Sequence, residues 1–172
     1  MIADSVEVEV EAEVETDIPI DTRAGSEIKP VSVLDIFNDA NYPTLLQAYA
    51  EECTEPDSNP QQTVYVAMEQ TGVLRCFAAY SNDTLIGFVS VLVSAMPHNG
   101  QRMAVVESLF VAPDYRSTGA GEKLIAAVEE FTAESGCARL TFLPRTGSKL
   151  DKVLSRRAGY SLTHLQYTRR FV

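Results

Sequence analysis

The run Arg116-Ser117-Thr118-Gly119-Ala120-Gly121 sets a lone guanidinium and two small hydroxyls ahead of two glycines that flank an alanine. Just beyond it, Leu124, Ile125, Val128 and Phe131 recur at helical spacing with Glu129, Glu130 and Glu134 facing away, so a helix opens where the glycines stand. The first N–H groups of a helix have no intrahelical acceptor and lie at the positive end of its dipole. Residues without side chains let an anion approach them closely. Arg116 adds a forked cation whose geometry suits phosphate oxygens. The run is therefore physically a pyrophosphate cradle, although a tight turn whose glycines only accommodate a chain reversal has the same pattern. The second group of interest is Glu107, a lone carboxylate within the apolar "RMAVVESLFV". Strict strand alternation puts Glu107 with Leu109 and Val111 on one side and Ser108 with Phe110 on the other. Taken alone it reads as a charge on the solvent side of a strand, set unusually among apolar neighbours.

Two familiar phosphate loops are excluded. A P-loop needs Gly-Lys-Ser/Thr, whereas Lys123 is preceded by Glu122 and followed by Leu124. A dinucleotide fingerprint needs a third glycine where Leu124 stands, and it belongs after the first strand of a domain. His98 and His164 are far apart and without ligand spacing, and Cys53, Cys76 and Cys137 form no C-x-x-C pair, so neither a metal site nor a disulfide framework is expected.

The elements that must position these groups follow from periodicity. Leu34 and Phe37, then Leu45, Leu46, Tyr49, Ala50 and Cys53, predict two short helices, with Pro43 in a first turn. After "EPDSNPQQ", the runs "TVYVAME", "LRCFAAYS", "TLIGFVSVLVS" and "RMAVVESLFV" read as successive antiparallel strands separated by the turn formers Gly72, Asn82-Asp83 and Asn99-Gly100. The helix after Gly121 ends at Gly136. A buried strand "CARLTFL" follows, then a helix of about ten residues between a Ser148/Asp151 capping box and Gly159. A last strand, "YSLTHLQYTRRF", closes the chain. The result is an α/β (α+β) domain with a mixed, mostly antiparallel sheet flanked by helices. The strands on either side of the Gly121 helix are its parallel neighbours, joined by a right-handed crossover.

At 172 residues, 45% of them apolar, the chain suits one folded domain. Charge is unevenly spread: residues 1–30 hold nine acids against two bases, residues 31–136 fourteen against four, and residues 137–172 one against eight. A cationic C-terminal part on an anionic protein favours an anionic small molecule over a long phosphate backbone, so nucleic acid is not expected as a partner. The alternating "VEVEVEAEVE" sets five glutamates on one face, and residues 1–30 read as a flexible acidic extension rather than an added edge strand, leaving 31–172 as the domain. The longest apolar run, "LIGFVSVLVSAM", falls short of the ~20 residues of a membrane span, and the N-terminus has no signal-peptide pattern, so no membrane and a cytoplasmic location are expected.

The run "VVESLFVAPDYRSTGAGEKLIAAVEEFTAESGCARLTFLP" resembles the coenzyme-binding core of the GNAT N-acetyltransferases. Their signature is a strand ending in Val-x-Pro, then Arg/Gln-x-x-Gly-x-Gly/Ala opening a long helix. It is matched by Val111-Ala112-Pro113 and by Arg116 through Gly121. The later "VLSRRAGY" is similar to the Leu-Tyr-x-x-x-Gly-Phe segment that ends the next family helix. The chain also resembles small family members of tailed bacteriophages, which would place it in a host cytoplasm.

The resemblance implies the GNAT fold, with its sheet split between the fourth and fifth core strands and acetyl-CoA in the opening. It implies that Leu109, Phe110 and Val111 hold the pantetheine arm and thioester. The amides of Arg116, Ser117, Thr118, Gly119, Ala120 and Gly121 would hold the pyrophosphate, and Ser148 stands near the position of a frequent family asparagine. Glu107 becomes the candidate base toward an amine on a small molecule or protein, and no metal is implied. Ser155 replaces the tyrosine that usually protonates the departing thiolate, which leaves Tyr160, Tyr115 or solvent for that role. These departures keep open a second reading, a member that binds acyl-CoA but has lost efficient catalysis. An edge strand at either terminus would allow a homodimer.

Overall fold

The computed structural model describes residues 25–53, 59–164 and 166–169. Its centre is a meander of long apolar strands: β2 (Leu74–Ser81), β3 (Thr84–Ala95) and β4 (Arg102–Val111), paired antiparallel. Asn82 and Asp83, both at positive φ, make the two-residue turn between β2 and β3, a conformation that matches the twist of a hairpin. On one edge β1 (Glu27–Val31) runs antiparallel to β2, and on the other the short β5 (Arg139–Thr141) runs parallel to β4, giving the order β1-β2-β3-β4-β5. The fold is the expected mixed, mostly antiparallel sheet flanked by helices.

One face of the sheet carries α1 (Val33–Phe37), α2 (Tyr42–Cys53) and α3 (Gln62–Gln70), packed through Val33, Leu45, Leu85, Phe88 and Phe110. The other face carries α4 (Ala120–Glu134), whose Leu124 and Val128 are fully buried against Val89, Val91 and Ala104. A 3-10 turn, Pro113–Thr118, links β4 to α4, and α5 (Lys149–Leu154) follows β5. At Gly87 a Cβ would lie 2.6 Å from the Phe110 carbonyl oxygen, so this glycine lets the last residues of β4 close against β3.

Several expectations are corrected. "TVYVAME" is not a strand but lies in α3: Tyr65, Val66, Met68 and Glu69 turn inward at helical spacing, and β1 already occupies the edge of β2 where another strand would pair. β1 includes residues 27–30, which the sequence reading placed in the acidic extension, and pairs them with β2. The "VEVEVEAEVE" run lies outside the described residues. The helix after Ser148 has six residues, and its capping box is half-formed, since Ser148 Oγ accepts from the Asp151 N–H while the Asp151 carboxylate accepts from the Gly147 N–H. No last strand forms among the described residues after Tyr160, where Leu162 and Tyr167 are largely exposed. Its apolar alternation breaks between Leu162 and Leu165, so no single face is apolar.

Candidate active site

β4 and β5 pair only from Met103 opposite Arg139 to Val105 opposite Thr141, while β4 runs on to Val111. Past Val105 the two strands part, and a cleft of about 160 Å³ opens there. Leu109, Phe110 and Val111 line it together with Arg116, Gly119 and Gly121. The structure thus brings most of the sequence-derived binding residues to one place. Lys149, Leu150 and Val153 of α5 form the facing wall, and Glu52 at the end of α2 stands at its margin.

Gly119 carries the start of α4 at φ 80, a left-handed conformation that other residues adopt only with strain. It offers no side chain to cap the helix, in contrast to Ser32 and Ser148 at the starts of α1 and α5. A Cβ at Gly119 would meet nothing within 4 Å, and one at Gly121 only a Val111 methyl at 4.0 Å. Backbone conformation accounts for Gly119, but neither conformation nor packing accounts for the absent side chain at Gly121, and the entrance to α4 stays open where side chains would stand. That observation fits the residues to an anion held by first-turn amides. Ala120 is fully buried and does not line the cleft, Ser117 is exposed, and Thr118 Oγ1 donates to the Tyr115 carbonyl at 2.7 Å. Ser148 Oγ is taken up in capping α5 and does not line the cleft.

Arg116 is held from three sides. Its Nε donates to the Val111 carbonyl at 2.9 Å, its guanidinium pairs with the Glu52 carboxylate, and it lies over the Phe110 ring at 5.5 Å. Arg145, in the loop after β5, donates to the Glu52 carbonyl at 2.7 Å, so two cations converge on residue 52. The cradle's cation is pre-oriented, and a carboxylate is its present partner.

Glu107 departs from the alternation expected of it. Ser90 of β3 faces Ser108, but the next residue, Val91, faces Val106, which makes Glu107 the extra residue of a bulge. Parity shifts by one there. Leu109 and Val111 pack on the α4 side, whereas Glu107 turns to the other side, toward α3. Its carboxylate accepts from Tyr65 Oη at 3.0 Å and from the buried Ser90 Oγ at 2.6 Å, and the Ser90 and Ser108 hydroxyls are 2.7 Å apart. One hydroxyl has one proton, so Ser90 donates to Glu107 and accepts from Ser108. Burial, then the nearby Glu107 charge, raises the Tyr65 hydroxyl well above its usual range; the same two causes push Tyr42 up to about 12. Both phenols stay protonated donors at neutral pH. Burial likewise takes the Cys76 thiol up to about 12, leaving it an unreactive core group.

Tyr160 is not brought to this cleft. Its hydroxyl donates to Glu129 at 2.9 Å, its ring meets Phe142 edge-on, and burial followed by the Glu129 hydrogen bond raises its pKa well above the usual phenol range. Ser155 Oγ donates to the Lys152 carbonyl, within its own turn. Tyr65, Ser90 and Glu52 escaped the sequence reading: the first lies in the misassigned α3, and the other two meet their partners only through long-range packing. Among the described residues no helix is long and apolar enough to cross a membrane, and no cluster of three or more His, Cys, Asp or Glu could hold a metal ion.

Residues 36–151 match the model of the acetyltransferase (GNAT) family. Over 82 residues the chain is 27% identical to an uncharacterised N-acetyltransferase, YhfO, of Bacillus subtilis (strain 168), a match covering 48% of this chain and 55% of that relative. Among solved structures, a ribosomal-protein-alanine N-acetyltransferase from Brucella melitensis biovar Abortus 2308 shares the fold at TM-score 0.67 and 20% identity, covering 86% of this chain and all of that one. An aminoglycoside acetyltransferase, meta-AAC0020, from an uncultured soil metagenomic sample in complex with sisomicin gives 0.64 at 19% identity, over 84% and 97% of the two chains. Glucosamine-6-phosphate N-acetyltransferase from Arabidopsis thaliana gives 0.65 at 14% identity, over 85% and 99%.

Proposed function

The chain belongs to the GNAT acetyltransferase family, and from that premise we propose that it transfers an acetyl group from acetyl-CoA to a primary amine of a small molecule or protein, by direct attack within a ternary complex. One observation carries this reading: a single strand, β4, delivers both an exposed, hydroxyl-held carboxylate at Glu107 and the wall of a cleft that ends at the glycine-bounded start of α4. In this reading the amides from Gly119 onward and the Arg116 guanidinium hold the coenzyme's pyrophosphate, and residues 109–111 hold its extended arm. The coenzyme, when bound, supplies an acyl carbon activated by its thioester.

The chain's own task is then proton management. An amine with pKa near 10.4 is neutral only about once in a few thousand molecules at neutral pH, so a base must take its proton. Glu107 accepts it, directly or through one water, while Tyr65 and Ser90 hold the carboxylate oriented. With Tyr160 committed to Glu129, Tyr115 or solvent is left to protonate the departing thiolate, and solvent is a tolerable route for a leaving group of pKa near 8.5.

The test is steady-state release of free thiol with a panel of amines, using wild-type protein and Glu107→Gln. The reading expects thiol release that needs both substrates and falls about 10²–10⁴-fold in the variant, with acetyl-CoA affinity unchanged. Acetyl-CoA binding without amine-dependent release from any acceptor would leave a binding protein instead.

A further inference from the structure

Beside the cleft lies a second, wider pocket of about 460 Å³, lined by Glu122, Lys149, Lys152, Val153, Arg156 and Arg157. Lys149 and Lys152 stand on α5, and Arg156 lies just past its end, at positions that continue one helical stripe. Like charges so spaced repel one another, and within residues 137–172, where one acid stands against eight bases, the stripe is not balanced by its sequence neighbours. Nor is it internally compensated. Glu122 pairs with Arg157 at 2.6 Å, and the same guanidinium bonds Glu129 at 2.9 and 2.7 Å, so the pocket's one carboxylate is engaged by Arg157 and not by the stripe. Among the described residues Lys149, Lys152 and Arg156 have no acidic partner.

The pocket is continuous with the cleft, since Glu122, Lys149 and Val153 line both. Resting on the coenzyme reading above, the question is which anion a ligand held at the start of α4 would extend into it. Beyond its pyrophosphate, coenzyme A carries one further anionic group, a phosphate monoester on the ribose. We propose that Lys149, Lys152 and Arg156 form a subsite for this ribose 3′-phosphate, making the protein selective for the 3′-phosphorylated coenzyme over its dephospho form. Three cations matched to a compact dianion relieve their mutual repulsion and form charge-assisted hydrogen bonds with it. Arg157 has a positioning role, keeping the Glu122 and Glu129 carboxylates from opposing that phosphate.

The experiment is calorimetric titration of wild-type protein with CoA and with dephospho-CoA, repeated with Lys149→Gln/Lys152→Gln/Arg156→Gln, each protein first checked for a cooperative thermal transition. Wild type is expected to bind CoA at least about tenfold more tightly, the ratio due when one phosphate monoester gains two or three charge-assisted bonds. The triple variant is expected to lose that preference and bind the two forms equally. Equal wild-type affinities, a comparison that needs no variant, would overturn the subsite while leaving the coenzyme cleft intact, as would a preference that survives in the variant. Binding of neither form by wild type would defeat the cleft itself, and the subsite with it.

Discussion

Replacing Gly121 by alanine separates what the fold needs from what the cleft does. Gly121 is the second residue of α4 and lines the cleft, and an added Cβ has ordinary contact with Val111 at 4.0 Å. The fold gives this glycine no packing role. Alanine in place of glycine favours a helix by about 0.5–1 kcal/mol, with the lower end expected in a first turn, and it also narrows the unfolded ensemble. For a chain of this size that predicts a rise in Tm of roughly 1–3 °C. The methyl group meanwhile stands where an anion would approach the first-turn amides, and weakening one such charge-assisted bond by about 1.5 kcal/mol lowers coenzyme affinity about tenfold. Stability and binding thus move in opposite directions, readable by thermal unfolding and calorimetry on one preparation. Gly119→Ala is the counterpart: at φ 80 it costs about 1 kcal/mol of backbone strain, so Tm falls by roughly 2–4 °C. A lower Tm in Gly121→Ala, or unchanged affinity for CoA, would refute the reasoning, since the glycine would then serve the chain or the anion would bind elsewhere.

Three further outcomes follow from the contacts described. Glu52→Gln releases Arg116 from its carboxylate and should tighten CoA binding about two- to fivefold, the scale of an exposed ion pair; weaker binding by calorimetry would mean that Glu52 orients Arg116 rather than competing for it. Tyr65→Phe, which removes one donor from Glu107, should lower kcat about tenfold with coenzyme affinity unchanged, and an unaltered kcat would remove Tyr65 from the machinery. Arg157→Gln should cost about 1 kcal/mol at neutral pH, an amount kept small by the pair's partial exposure. Because hydrogen bonds from Arg157 hold the Glu129 carboxyl below its ordinary range, that stabilisation is complete above this range and is lost as pH falls through the depressed value. Denaturant curves for variant and parent should therefore converge as pH falls through that depressed value, and a gap that persists once the carboxyl is protonated would indicate lost packing instead of lost charge.

The meander from β2 to β4 and the entry to α4 were legible in the sequence, because local signals settle them: alternation bounded by Asn82-Asp83, and a stripe beginning after Gly121. The segment holding Tyr65 was not, since its valines suit a strand and only the occupation of the β2 edge by residues 27–31 decides for helix. The facing of Glu107 was equally hidden. A bulge belongs to a pair of strands, and nothing within "VVESLFV" announces that Ser90 and Val91 will meet residues two apart. The cleft wall was legible through its glycines, whereas Glu52 and the hydroxyls around Glu107 arrive from distant segments and leave no local spacing to read.

With Glu107 as the supernumerary residue of β4, its side chain answers to a different half of the molecule from Leu109 and Val111. On the proposed reading, amine and donor therefore approach one strand from opposite flanks. Divergence among α1, α2 and α3 can retune which nucleophile arrives while the register that frames the donor stays untouched, so acceptor choice is open to evolutionary drift at little risk to the rest of the enzyme.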